Sequence, residues 1–106
     1  MKLRIDPAAE EETLEAAQWY EDRRGGLGLE FLAAVDAAVQ RIRNDPFAFA
    51  LLETLPEEQN VRRFLLRRFP YAIIYEIVSD EIRILAIAHT RRRPGYWKKR
   101  LARDNS

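Results

Sequence analysis

The sequence contains no cysteine, which excludes a disulfide framework, a thiolate zinc site, an iron–sulfur cluster and a cysteine nucleophile, and which fits a reducing compartment. One histidine, His89, is too few for a multi-histidine metal site, so no metal and no cofactor is expected. Long apolar runs are also missing. The longest, Phe47 to Leu52, has six residues, and Tyr71 to Tyr75 and Ile84 to Ala88 have five each, against the ~20 that cross a bilayer. Met1 to Pro7 is too short an apolar segment for a secretion signal, and a cytoplasmic protein is expected. Glycine is scarce, and three of the four cluster in Gly25-Gly26-Leu27-Gly28. No strand-like segment precedes them and no further glycine follows at dinucleotide-binding spacing, so they read as a helix-to-helix turn. Lysine is absent between Lys2 and Lys98.

What is present suits a single domain over 1–106: 47% hydrophobic residues, and 18 basic against 17 acidic side chains. The balance hides a split. Met1 to Asn60 carries six basic and thirteen acidic residues, net −7, whereas the remainder carries twelve and four, net +8. Such asymmetry points to an acidic or polyanionic partner for the C-terminal half, or else to pairing between the halves. Arg91-Arg92-Arg93 is hard to neutralise internally and favours the partner.

Lys2 to Ile5 alternates and is stopped by Asp6-Pro7, predicting a short strand and then a helix start. Ala8 to Arg24 has no internal glycine or proline and predicts a helix, with Ala9, Thr13, Ala16 and Tyr20 on one stripe. Its cluster Glu10, Glu11, Glu12 and Glu15 fans around the helix and is expected to be a solvated face rather than a cation site. Phe31, Leu32, Val35, Ala38, Val39 and Ile42 place a second, antiparallel helix from near Leu27 to Asn44, and Phe47 to Asn60 reads as loop. Val61 to Leu66, Tyr71 to Val78 and Glu81 to His89 then predict a three-stranded antiparallel meander. Strict alternation in the last would put Ile82, Ile84, Ala86 and Ala88 on one face and Arg83, Leu85, Ile87 and His89 on the other. With both faces apolar, one is expected to pack on the helices and the other to line a groove or await a partner. A basic tail, Thr90 to Arg103, ends the chain, with a short helix expected over Tyr96 to Arg103.

Two stretches stand above background: Val61-Arg62-Arg63-Phe64-Leu65-Leu66-Arg67-Arg68-Phe69-Pro70-Tyr71-Ala72-Ile73-Ile74-Tyr75-Glu76, and Ile84-Leu85-Ala86-Ile87-Ala88-His89-Thr90-Arg91-Arg92-Arg93-Pro94-Gly95-Tyr96-Trp97. Here the chain resembles the RelE/ParE-like toxins of type II toxin–antitoxin modules, once called plasmid stabilisation proteins. That family runs from an arginine-rich strand through a Phe-Pro-Tyr turn to an apolar strand, then to a strand ending in His, an arginine pair and Tyr-Trp. Ala16-Ala17-Gln18-Trp19-Tyr20-Glu21, Gly26-Leu27-Gly28-Leu29-Glu30-Phe31 and Asn44-Asp45-Pro46 fall where the family places its helical hairpin. The resemblance covers about Ile5 to Arg100 and implies an α+β fold: an N-terminal strand, an antiparallel helical hairpin on a mostly antiparallel four-stranded sheet, and a short basic C-terminal helix. It also implies a toxin silenced by a cognate antitoxin in a hetero-oligomer, with no cofactor.

The target is either DNA gyrase, as in the ParE branch, or the ribosome and mRNA, as in the RelE branch; an inactive relative that only binds antitoxin is a third reading. Metal-free RNA cleavage needs a proton acceptor, a proton donor and cations around the phosphate. The candidates are His89 as acid or base, Arg63, Arg67 and Arg91 as phosphate clamps, and Tyr96 or Trp97 as a stacking platform. RelE-type relatives commonly bring lysines before or into the second strand, where this chain has Glu53, Glu57 and Glu58, so the ParE-like inhibitor is preferred. Target or nucleic-acid contact is assigned to Arg62, Arg68, Arg91, Arg92, Arg93, Tyr96, Trp97 and Lys98. The competing structural readings are strand-edge charges pairing with helix glutamates for Arg62, Arg63, Arg67 and Arg68, a sheet-end role for His89, core packing for Tyr71 and Tyr75, and packing on the sheet end for Tyr96 and Trp97.

Overall fold

The computed structural model describes residues 1–102; Arg103, the end of the expected C-terminal helix, lies outside them. Strand β1 (Lys2–Ile5) leads into helix α1 (Pro7–Arg23). Pro7 suits the first turn, where no backbone donor is needed, and the Asp6 carboxylate accepts from the Ala8 N–H at 2.8 Å. Helix α2 (Leu27–Asn44) returns antiparallel, as expected. Gly26 starts it at φ +92°, and a Cβ on Gly28 would lie 2.6 Å from the Ala17 carbonyl oxygen, so glycine is required for the helices to cross this closely. Glu21 of α1 supplies the cap that Gly26 lacks, accepting from the N–H groups of Gly26 at 2.9 Å and Gly28 at 3.0 Å. Among the described residues no helix is long and apolar enough to cross a membrane.

Strands β2 (Val61–Leu65), β3 (Tyr71–Val78) and β4 (Glu81–His89) form the expected meander. The sheet order is β1-β4-β3-β2, with β1 parallel to β4 and the other pairs antiparallel. Phe31, Val35 and Ile42 of α2 and Ala9, Ala16 and Ala17 of α1 bury Ile73, Tyr75, Ile77, Ile82, Ile84 and Ile87. Each fully buried isoleucine contributes about 1.5–3 kcal/mol.

The alternation expected in β4 breaks at a β-bulge. Ile74 pairs with Ala86 but Tyr75 pairs with Ile84, so Leu85 is an extra residue. Beyond it the faces exchange: Ile87 lies on the helix side with Ile82 and Ile84, while Ala86 and Ala88 join Leu85 on the other. That second face is neither bare nor wholly a groove. Trp97 and Leu101 of the tail cover Val61, Ala72, Ile74, Leu85, Ala86 and Ala88, helped by Leu52 and Leu55.

The 47–60 segment, expected to be loop, carries a 3-10 turn at Glu57–Gln59 and runs beside β2, with Leu52 N–H to Val61 C=O at 2.9 Å and Arg63 N–H to Ala50 C=O at 3.0 Å. Tyr75 pins its start by donating to the Pro46 carbonyl at 2.7 Å. The basic C-terminal helix is one 3-10 turn, Lys98–Arg100. Of the two tyrosines expected in the core, Tyr75 is fully buried and Tyr71 half-buried.

All four tyrosines have phenols held above their ordinary value. Burial is the main cause for Tyr20, Tyr71, Tyr75 and Tyr96, and it pushes Tyr75 up to about 12. A folded-state pKa above the unfolded one adds stability that is complete below about pH 10 and is lost as pH rises through the folded values. Phenolate absorbance is therefore expected to stay low through pH ~10 and then rise together with loss of far-ultraviolet circular dichroism. Independent titration of the phenols near pH ~10 in folded protein would contradict the arrangement.

Candidate functional site

The C-terminal tail turns sharply after β4. The Thr90 N–H donates to the Pro70 carbonyl at 2.8 Å, and Gly95 at φ +77° reverses the chain. What fixes the tail is Glu12 of α1. Its carboxylate accepts from the Ile87 N–H at 3.0 Å, the Tyr96 hydroxyl at 2.7 Å and the Arg100 guanidinium at 3.1 and 3.2 Å. Arg92 approaches to 4.0 Å and lies over the Tyr96 ring at 3.9 Å. Arg100 also donates to the Leu85 carbonyl at 2.9 Å, so both carbonyl and amide around the bulge are satisfied by side chains. Burial and the Glu12 acceptor both raise the Tyr96 phenol. Desolvation works to lower the Arg100 guanidinium, but the bond and charge of Glu12 hold it above its usual value.

Glu12 corrects the expectation of a uniformly solvated acidic face: its side chain is 15% exposed and central to the fold. The signal was its helical position. It lies three residues after Ala9 and four before Ala16, on the margin of the buried stripe.

The candidate site residues separate into three groups. Arg62 and Arg68 are engaged internally. Arg62 donates to Asn60 at 2.8 Å and to the carbonyls of Phe47 and Phe49 at 3.0 and 2.6 Å, and Arg68 pairs with Glu30 at 2.8 Å. The Arg68 bond, with Arg24 behind it, holds the Glu30 carboxyl below its usual range. Tyr96 and Trp97 belong to the tail clasp and the second core, Trp97 being 5% exposed. Arg63, Arg67, Arg91, Arg93 and Lys98 are exposed and make no ion pair within the described residues. The halves therefore neutralise each other only in part.

Arg63, Arg93, His89 and Thr90 edge a cleft of about 280 Å³ between β2, the end of β4 and the tail, floored by Ile74 and Trp97. His89, however, directs its ring to the other side. It meets Tyr71 edge-on with centroids 5.0 Å apart, and Tyr71 in turn packs on Tyr20 and Phe31 beneath the helices. Arg63 alternates with Phe64, which belongs to the helix-side core, and so lies on the tail-covered face with Val61. Arg67 lies by a different depression, against Ala34 and Ala38 of α2. The structure thus brings His89 and Arg63 only to the rim of one cleft, with the ring turned away from it, and sets Arg67 apart. The Arg91 N–H donates to His89 Nδ1 at 3.0 Å, so a neutral ring carries its proton on Nε2 and presents a donor there, not a base. Among the described residues no group of three or more His, Cys, Asp or Glu side chains is placed to hold a metal ion.

Comparison with known proteins bears on this arrangement. The family model for the ParE toxin of type II toxin–antitoxin systems, parDE, matches residues 3–94. Among solved structures the chain is similar to a protein of the chromosomal ParDE TA system from P. aeruginosa. The TM-score is 0.64 at 22% identity, covering 84% of this chain and 95% of that one, a likeness of fold. No curated protein sequence matches.

Replacing Glu12 with alanine strands Ile87 N–H, the Tyr96 hydroxyl and Arg100 at once. The expected cost is about 2–4 kcal/mol in urea unfolding, a buried pair broken from one side with slight solvent access. A cost below about 0.5 kcal/mol, the scale of a neutral surface change, would show that the clasp contributes nothing.

Proposed function

The chain belongs to the ParE toxin family of type II toxin–antitoxin systems, and from that premise we propose that it arrests growth by binding DNA gyrase through its basic tail rather than by cutting RNA. The observation that carries this reading is the division of the nuclease set across the sheet. Proton transfer and phosphate clamping must meet at one scissile bond, and here His89 touches only the rim of the cleft that Arg63 edges, its ring turned to Tyr71 on the helix side, while Arg67 lies apart beside α2. The acidic Glu53, Glu57 and Glu58 beside β2 add repulsion for a phosphate. Binding asks less: a rigid surface with unpaired cations, which Arg91, Arg93 and Lys98 supply on a tail fixed by Glu12.

In this reading a cognate antitoxin keeps the toxin silent in the cytoplasm, as a hetero-oligomer. Its segment lies over the seam of the helical hairpin, where Leu14 and Leu29 are 63% and 72% exposed, and buries about 1,200–2,000 Å² or more. Co-expression with the product of the adjacent gene is expected to yield a complex that survives micromolar dilution at low salt. Clean separation there removes the antitoxin part of the proposal.

The target is tested in two assays. Purified toxin is expected to inhibit gyrase supercoiling, and its induction to arrest growth. His89→Gln is expected to change potency by less than about threefold, where a general acid or base would be worth about 10²–10⁴. Combined Arg91→Ala, Arg92→Ala and Arg93→Ala is expected to weaken inhibition by about tenfold or more, with reduced salt sensitivity. Full gyrase activity at saturating toxin with codon-positioned mRNA cleavage would move the protein to the RelE-like ribosome-dependent class. No growth arrest at matched expression would leave an inactive relative.

A further inference from the structure

A cleft of about 570 Å³ lies between α1, the turn into β3, the end of β4 and the tail, where β4 has run past the end of β1. It shares only His89 and Arg92 with the cleft that Arg63 edges. Buried Ala16 and Ile87 line it, and Trp19, half exposed on α1, adds an indole to its wall. Four rings that carry polar hydrogens follow one another along it in edge-on contact: Trp19 on Tyr20 at 5.1 Å, Tyr20 on Tyr71 at 6.3 Å, and Tyr71 on His89 at 5.0 Å. The Trp19 indole N–H, the Tyr20 and Tyr71 hydroxyls and the His89 Nε2–H make no hydrogen bond among the described residues. Burial keeps both phenols protonated, so both stay donors. Arg92 adds a guanidinium that lies over the Tyr96 ring and comes no nearer than 4.0 Å to Glu12, whose oxygens are already taken by Ile87, Tyr96 and Arg100. Against these donors the lining has one carboxylate without a partner among the described residues, that of Glu15.

We propose that this cleft is a binding site for a single carboxylate carried on an apolar stem, the carboxylate taken by Tyr20, Tyr71, His89 and Arg92 and the stem laid against Trp19, Ala16 and Ile87. The site is independent of the gyrase surface and of the antitoxin. Its volume suits a small organic molecule or the last residues of a peptide. The donors are held by ring-on-ring contacts, so little freedom is lost when an acceptor arrives, and donors aimed at an ionised oxygen bind it about twice as strongly as a neutral one. Charge sets the valence of the ligand. Arg92 is one cation and Glu15 one anion, Glu12 is matched by Arg100, and His89 with Nδ1 accepting from the Arg91 N–H is neutral. A cleft of neutral donors with one guanidinium suits one negative charge, whereas a phosphate dianion would meet Glu15 with too little cation to offset the repulsion. A cationic ligand would leave the ring donors without an acceptor.

The test titrates the nitrogen-15-labelled full chain with N-acetyl-phenylalanine, with its uncharged amide and with phenyl phosphate, and follows amide and imidazole resonances. The free acid is expected to bind about tenfold or more tightly than the amide and more tightly than phenyl phosphate, with shifts centred on Trp19, Tyr71, His89 and Arg92. Tyr20→Phe with Tyr71→Phe keeps the rings and removes only the hydroxyls, and is expected to weaken the acid by about tenfold. Arg92→Gln is expected to weaken it by about threefold or more, and it decides the matter alone if circular dichroism shows the double variant unfolded. A short peptide ending in phenylalanine, with a free or an amidated terminus, separates the two sources of such a carboxylate. Tighter binding of the free-ended peptide than of N-acetyl-phenylalanine points to a protein C-terminus, weaker binding to a small acid, and either upholds the site. Equal binding of acid and amide, tighter binding of phenyl phosphate, shifts centred elsewhere, no binding at about 10 mM, or an affinity indifferent to the hydroxyls and to Arg92 would overturn the proposal.

Discussion

One carboxylate holds three parts of this molecule in register. β1 pairs with β4 only as far as Ile84, which leaves the next backbone groups of β4 without a strand beside them. Glu12 takes the Ile87 amide, and Arg100, itself held by Glu12, takes the Leu85 carbonyl. Helix, bulged strand and tail are thereby tied through one side chain. Such a site is costly to assemble piecemeal, because each member alone is a polar group with nowhere to go. Complete, it rigidifies all three.

The position of the free charges follows from this. Wherever a cation meets a carboxylate across the fold it is spent on architecture, as with Arg100 on Glu12, Arg68 on Glu30 and Arg83 on Glu76 at 2.6 Å. Of the candidate cations left over, Arg63, Arg91, Arg93 and Lys98 lie on the tail and the tail-covered side of β2 and Arg67 lies beside α2, whereas Glu10 and Asp36, also without an ion pair among the described residues, bank the hairpin seam on the other side of the sheet. A nearly neutral chain thus carries a basic patch and an acidic patch on opposite sides of one sheet. In the reading proposed for this toxin, silencing and action would use two chemically different places.

The elements were legible because their signals were local. Asp6-Pro7, Gly25-Gly26 and Ser79-Asp80 mark boundaries by backbone chemistry, and β3 and β4 end where the sequence says they do. The tight turn at Ser79-Asp80 even places Glu76 opposite Arg83, so that the buried carboxylate has its partner by register alone. The candidate site was less legible because it depends on contacts between distant residues. Nothing near Trp97 in sequence tells whether the indole stacks on a ligand or fills a core. Its burial is decided by Ile74, Leu85 and Ala88. Glu12 was disguised among neighbouring glutamates, and only its margin position on the helix separated it from them.

The bulge at Leu85 also shows how little a motif says about direction. The string from Ile84 to Trp97 fixes the order of residues along the chain, but not the side of the sheet each one addresses. In a strand regular from Glu81 to His89 the imidazole would stand on the tail-covered face, the side of the sheet that Arg63 occupies. With Leu85 looped out it stands beneath the helices against Tyr71. Two chains with the same letters at these positions can therefore differ in whether a histidine and an arginine share a substrate, and the difference lies in the path of the backbone between them.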